Sequence, residues 1–368
     1  MTNRENEIID LIRKNPMITQ NELAEKLEIA RSSVAVHIAN LMKKGLIKGK
    51  RYILDETPYI CVIGGSNVDI QGFPNERLVL ADSNPGQIKI SFGGVGRNIA
   101  ENTSRMSIPT KLITAVGNDD YGQSILNQLK ISEIDCQYSM VSDEFPTSTY
   151  LPILDADGDM KAAISQMDVL KKLDIDFIER RRQIVKNARL CVIDANLPEE
   201  SIEYLTASFP GKEFFFDTVS TAKAIKAKNI LDKLYFIKPN KLEAEKLAGI
   251  AIGNSDDLRR CGSHFLEKGV KHVVISLGNG GNYYNDGNSE FVLEADKLDV
   301  VNATGAGDAF MAGLVYSRLE EFSAELTVKF ATAASAMALS HANTVNPNIS
   351  VENINKVMER MNYVKRLS

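Results

Sequence analysis

Over the first 54 residues, apolar positions recur with helical spacing three times. Ile8, Ile9, Leu11 and Ile12 mark one apolar stripe, and Gln20 to Leu27 carries a second with Ile18 ahead of it. Arg31 to Lys44 carries a third, with Val34, Ile38 and Leu41 on one face, and Gly45 stops it. Leu46 to Leu54 then alternates around a basic turn, which predicts a hairpin or wing. From Tyr59 the rhythm changes to short apolar runs alternating with helical patterns. Strands are expected at Tyr59–Ile63, Lys111–Val116, Leu190–Ile193, Glu213–Phe216, Tyr235–Ile237 and His272–Ser276, in an α/β domain with a largely parallel sheet. Gln87–Phe92 and Tyr150–Gln166 alternate instead like strands with one exposed face, the second turning at Asp155–Gly158. They predict a small separate sheet, a lid spanning residues near 71–92 and 147–167.

The pattern divides the chain into residues 1–57 and 58–368, and charge agrees with the division. Residues 1–57 hold ten Lys/Arg against eight Asp/Glu, a balance of +2, so the remainder must carry −7 to give the net −5. Apolar content of 44% and charged content of 25% fit a globular protein. No apolar run reaches about 18 residues and Met1–Glu7 lacks a signal-peptide core, so no membrane partner and a cytoplasmic location are expected. The four cysteines are widely spaced and the four histidines form no metal-ligand spacing, which argues against a disulfide framework or a structural zinc site.

Candidate chemistry sits in two glycine-rich segments. There is no Gly-x-x-x-x-Gly-Lys-Ser/Thr, so a P-loop is excluded. Thr304-Gly305-Ala306-Gly307-Asp308 leads directly into an apolar helical stretch. Small residues there let backbone N–H groups converge on an anion at a helix N-terminus. Asp308 at the same spot would take a proton from an attacking hydroxyl, as phosphoryl transfer to an alcohol requires. Taken by itself, Asp308 reads better as a helix-start carboxylate stabilised by the dipole, and it is the surrounding small residues and the upstream motifs that reverse this.

Gly93-Gly94-Val95-Gly96-Arg97-Asn98 and Asn302-Ala303-Thr304-Gly305-Ala306-Gly307-Asp308, about 210 residues apart, resemble the two signatures of the ribokinase-like PfkB carbohydrate kinase family. Between them Asn240-Lys241-Leu242-Glu243 resembles the family's Asn-x-x-Glu motif, and Ser276–Gly281 its nucleotide-site glycine turn. The resemblance covers roughly residues 58–350. It implies a three-layer α/β/α domain with a β-sheet lid, ATP and Mg2+, and Asp308 as the base. The N–H groups of Gly305, Ala306 and Gly307 would form the anion hole. It further implies Asn240, Ser276, Gly278, Gly281 and Thr304 at the nucleotide, and Glu243 acting on the metal through water. Asn240 and Glu243 also read as an N-cap and its capping-box partner. Asn67, Asp69, Gly94 and Asn98 would hold the acceptor, although Asp69 is otherwise an ordinary turn former. Relatives that bind a monovalent cation often carry Asp at position 302. Asn302 leaves potassium in doubt.

Residues 1–57 resemble a winged helix-turn-helix, which implies DNA contacts from Arg31, Ser33, His37, Lys48, Lys50 and Arg51. A small docking or oligomerisation module fits the same pattern. Within the PfkB family, Ala81–Gly86, the first glycine signature, Asp194–Asn196 and Asp217–Ser220 resemble the bacterial pseudouridine kinase branch. That branch implies transfer to the 5′-hydroxyl of a ribonucleoside, with Asn196 as a hydroxyl or base contact. Another nucleoside, a free sugar, or a ligand-sensing transcription regulator built on a kinase fold remain alternatives. By family analogy the lid strands imply a homodimer.

Overall fold

The computed structural model describes residues 1–48, 57–155, 157, 159–296, 300–302 and 304–366. The chain forms two compact units, Met1–Pro58 together with Glu179–Ala188, and Tyr59–Ile178 together with Arg189–Ser368.

In the first unit the three expected helices run Asn3–Lys14, Gln20–Leu27 and Arg31–Lys43. Thr2 with Glu5 and Thr19 with Glu22 form reciprocal capping boxes that start the first two. Glu28, in the left-handed region at φ 52°, ends the second and makes the tight link to the third. Ile8, Ile12, Leu23, Val34, Ile38 and Leu41 close one small core. The expected wing lies mostly outside the described residues, and Lys50 and Arg51 with it.

Among its described residues the second unit has fifteen strands: β1 (Ile60–Ile63), β2 (Asn67–Pro74), β3 (Gly86–Gly93), β4 (Thr110–Ile113), β5 (Ala115–Gly117), β6 (Met140–Ser142), β7 (Thr149–Leu154) and β8 (Met160–Gln166), then β9 (Cys191–Asp194), β10 (Phe214–Asp217), β11 (Leu234–Ile237), β12 (His272–Ser276), β13 (Asn282–Asn285), β14 (Glu290–Ala295) and β15 (Tyr363–Arg366). Nine form the main sheet in the order β15-β14-β13-β12-β11-β10-β9-β1-β4. From β4 to β12 every pairing is parallel, and β13 to β15 extend that edge antiparallel.

Strands buried on both faces explain why they read as continuous apolar runs. Val62, Val192, Phe215, Phe236 and Val274 join the core beneath the helices Val95–Arg105, Ala306–Leu319 and Ala324–Leu339. On the opposite face, Tyr283 packs against Gly262 of the helix Ser255–Glu267, where a β-carbon would meet the phenol ring. The result is the expected three-layer arrangement. Lys111–Val116 is not one strand: it breaks at Thr114 into β4, in the main sheet, and β5, which pairs with β6.

The expected lid is a four-stranded sheet, β3-β2-β7-β8. Asp155 makes its turn by accepting from the N–H groups of Asp157 and Asp159. Asp69 belongs to β2, paired with Ser91, and is not a turn residue. Gly64, Asp194, Asp217, Lys238 and Ser276 all lie at the carboxyl ends of parallel strands, where open α/β sheets bind ligands.

Candidate active site

Asp308 lies in the first turn of the helix Ala306–Leu319 and is buried. Gly305 precedes that helix at φ 86°, and a β-carbon there would strike the carbonyl of Thr344, so glycine is needed for both backbone angle and space. The leading N–H groups of the helix have no intrahelical acceptor, and Ala306 and Gly307 line an adjoining cleft. Asn98 Nδ2 donates to Asp308 Oδ2 at 2.8 Å, joining the two glycine signatures across 210 residues.

The electrostatics suit a base. Burial, then the neighbouring Asp217 carboxylate, push Asp308 up to about 7, while Asn98 and Lys238 oppose the rise. Lys238 is itself buried, with Nζ 3.5 Å from Asp217 Oδ2. Burial works against its charge, but Asp217, Asp308 and Glu243 hold it above the ordinary lysine value. A β-carbon on Gly307 would lie 3.1 Å from Lys238 Nζ, so this ammonium stands beside the N-terminus of that helix. Lys238 and Asp217 were not singled out as site residues in the sequence. Their signal was a lone charged residue ending an apolar strand.

Asn67 donates from Nδ2 to Asp69 Oδ1 at 2.6 Å. Burial raises the Asp69 carboxyl, against Asn67 and the Arg97 guanidinium. Gly94 has φ 100°, and a β-carbon there would come 2.6 Å from Ser66 Cα. The side chain of Asn98 also accepts from Arg97 Nη1 at 3.0 Å. Asn196 stands on the same side of the sheet, beside Gly65, and its Oδ1 accepts from Lys223 Nζ at 2.6 Å.

The cleft beside the anion hole measures about 570 Å³ and is lined by Lys238, Asn240, Ser276, Gly278, Gly281 and Gly307. Val300, Phe310, Ala336, Leu339 and Met361 add an apolar wall suited to a flat base. Gly278 and Gly281 both have positive φ, at 59° and 86°. Thr304 lies elsewhere, lining a polar cavity of about 400 Å³ with Asp69, Arg97 and Asn302.

Glu243 is heavily engaged. Its Oε1 accepts from Asn240 Nδ2, and its Oε2 from Thr218 Oγ1 and the Asn240 N–H. The capping box with Asn240 is complete. Three of roughly four carboxylate acceptor positions are therefore used, which leaves one lone pair free for a water or a cation. Among the described residues no group of three or more His, Cys, Asp or Glu forms a cation site. Asn302 joins two loops, its Oδ1 accepting from the Thr304 N–H and its Nδ2 donating to the Ala342 carbonyl.

In the N-terminal unit, Arg31, Ser33 and Lys48 are exposed, whereas His37 is half-buried and its Nδ1 has no hydrogen-bond partner among the described residues.

Residues 57–350 match the family described as pfkB family carbohydrate kinase, and residues 1–48 match winged helix-turn-helix DNA-binding domains. A protein of Escherichia coli strain K12, described as an uncharacterized sugar kinase, is 37% identical over 96% of this chain and 98% of its own. The pseudouridine kinase of the same strain is 37% identical over 83% of this chain and 97% of its own. A Clostridium perfringens structure described as a sugar kinase superposes with a TM-score of 0.77 at 39% identity, covering 84% of this chain and 98% of that one. Arabidopsis thaliana ribokinase with ribose and ATP shares the fold, with a TM-score of 0.71 at 21% identity over 82% and 99% of the two chains.

Proposed function

The chain belongs to the pfkB family of carbohydrate kinases and is a phosphotransferase with an alcohol acceptor, and we propose that this acceptor is the 5′-hydroxyl of a ribonucleoside, foremost pseudouridine. The observation that carries the phosphotransfer chemistry is the buried Asp308, bonded to Asn98 and set at the N-terminus of a helix beside Lys238. The 37% identity to a pseudouridine kinase, spanning nearly all of that protein, supports the acceptor.

In this reading ATP occupies the 570 Å³ cleft, its base against Phe310 and Leu339 and its phosphates toward Ser276, Asn240 and the anion hole. Mg2+, when bound, neutralises phosphate charge, with Glu243 orienting one of its waters. The acceptor lies between Asp69, Asn67 and Asn98, and its hydroxyl faces Asp308. Asp69 accepts two ribose hydroxyls, a charge-assisted pairing that selects geometry. As the oxygen attacks the γ-phosphorus, Asp308 takes its proton and the bond from the γ-phosphorus to the bridging oxygen breaks to release ADP, while the N–H groups of Ala306 and Gly307 and the Lys238 ammonium stabilise charge on the transferred group.

A free-sugar acceptor is the second reading, favoured by the sugar-kinase relative that aligns over 96% of the chain. Pseudouridine, uridine, inosine, ribose and fructose assayed side by side decide between them. Turnover with free sugars alone overturns the nucleoside assignment. We further infer that the winged helix binds DNA through Arg31, Ser33 and Lys48, and that the chain is a homodimer formed through its lid. The lid leaves Ile88, Ile90 and Ile164 more than half exposed.

A further inference from the structure

We propose that Asp194 is a positioning residue of the acceptor site, a buried carboxylate that locks the start of β2, which bears Asn67 and Asp69, to the helix bearing Asn98. The inference rests on the kinase reading above, and not on which acceptor is used.

Asp194 ends β9 and is only 1% exposed. One of its oxygens, Oδ2, accepts from two segments at once, the N–H of Gly65 and the N–H of Gly96, each at 2.8 Å. Gly65 lies two residues before Asn67. Gly96 lies two residues before Asn98. The two segments cross in backbone contact: the Arg97 N–H donates to the Gly65 carbonyl at 3.1 Å, and a β-carbon on Gly96 would lie 2.7 Å from Gly64 Cα. A shared acceptor at such a crossing fixes the spacing of both arms, and a negative charge in the first turn of the helix Val95–Arg105 is favourable to its dipole.

Asp194 is held in its turn. Its Oδ1 accepts from the Asn196 N–H at 2.8 Å, while Lys223 grips the Asn196 side chain and Lys226 donates to the carbonyls of Ala195 and Leu197. Asn196 therefore serves this clamp whether or not it also touches a ligand. Asp194 needs no contact with the acceptor. It sets where Asn67, Asp69 and Asn98 stand relative to Asp308.

The test uses whichever acceptor the wild-type chain phosphorylates best, so a sugar in place of a nucleoside changes the acceptor assignment and leaves this experiment intact. Asp194→Asn keeps the shape but offers one oxygen where three N–H groups need acceptors. The KM for acceptor should rise at least about tenfold while the KM for ATP changes less than about twofold. Charged groups facing Asp308 are Asp217, Lys238 and Asp194. Removing one negative charge from that set should move the acid limb of the rate profile to lower pH. Gly96→Ala forces the crossing apart with every charge kept, so it should raise the acceptor KM and leave the acid limb in place. An unchanged acceptor KM in either folded variant, or equal rises for acceptor and ATP, overturns the positioning role. If Asp194→Asn does not fold, Gly96→Ala decides alone on the KM split.

Discussion

At the scale of single residues, the site depends on one carboxylate kept basic by its surroundings. Asp308→Asn should retain ATP and acceptor binding while turnover falls at least about 100-fold, measurable by steady-state kinetics with calorimetric binding. Asp308 must be ionised to accept a proton, and burial with Asp217 raises it to about 7. The ionised fraction therefore falls as pH drops through 7, and kcat/KM should decline tenfold per pH unit below that point. Lys238 opposes the rise, so Lys238→Met should move this acid limb to higher pH and lower kcat as well, since the same ammonium stands beside the anion hole. A limb that stays in place after that substitution would show the two groups to be uncoupled.

At the scale of elements, the base is aimed by helix packing. The helix Ala306–Leu319 crosses Ala324–Leu339 at Gly313, where a β-carbon would lie 2.6 Å from Ala331 Cα. Replacing Gly313 by Ala adds up to about 1 kcal/mol of helix propensity. Overpacking a tight backbone crossing costs about 1–3 kcal/mol. The steric term should win, so Gly313→Ala is expected to lower the melting temperature in calorimetry. A higher melting temperature would mean the crossing can open freely. The N–H groups of the anion hole belong to the same helix, so the variant should lose turnover along with stability.

At the scale of the whole molecule, a kinase domain and a winged helix share one chain. Residues 1–57 carry a balance of only +2. Few phosphate contacts mean weak binding with a shallow salt dependence. Gel shifts with duplex DNA should show low affinity that falls only modestly between low and physiological salt, and Arg31→Ala should weaken it further and flatten the salt slope. Comparing shifts with and without nucleoside tests whether the two units communicate, and identical affinities would remove a ligand-sensing role. No helix among the described residues is long and apolar enough to cross a membrane.

Much of this was legible in the chain itself. Leu190–Ile193 and Glu213–Phe216 read as strands because both faces are buried, and the structure places them at Cys191–Asp194 and Phe214–Asp217, while Val34, Ile38 and Leu41 marked a helix face that the structure buries. The order of the glycine signatures, with Asp308 after the second, was enough to point to phosphoryl transfer. Other features were not legible. The antiparallel edge β13 to β15 depends on pairing between distant segments, and Asp69 reads locally as a turn residue until β3 pairs with β2.

What the sequence determined was local: which segments are helix or strand, where the backbone needs glycine, and which residue types are available for chemistry. Tertiary structure decided what those residues do. Burial pushed the Asp308 carboxyl up to about 7, a bond across 210 residues placed Asn98 on it, and the ends of β9, β10 and β11 delivered Asp194, Asp217 and Lys238 to its surroundings. The physical reason is that periodicity and backbone angle are short-range properties, while desolvation and charge coupling exist only where distant segments meet.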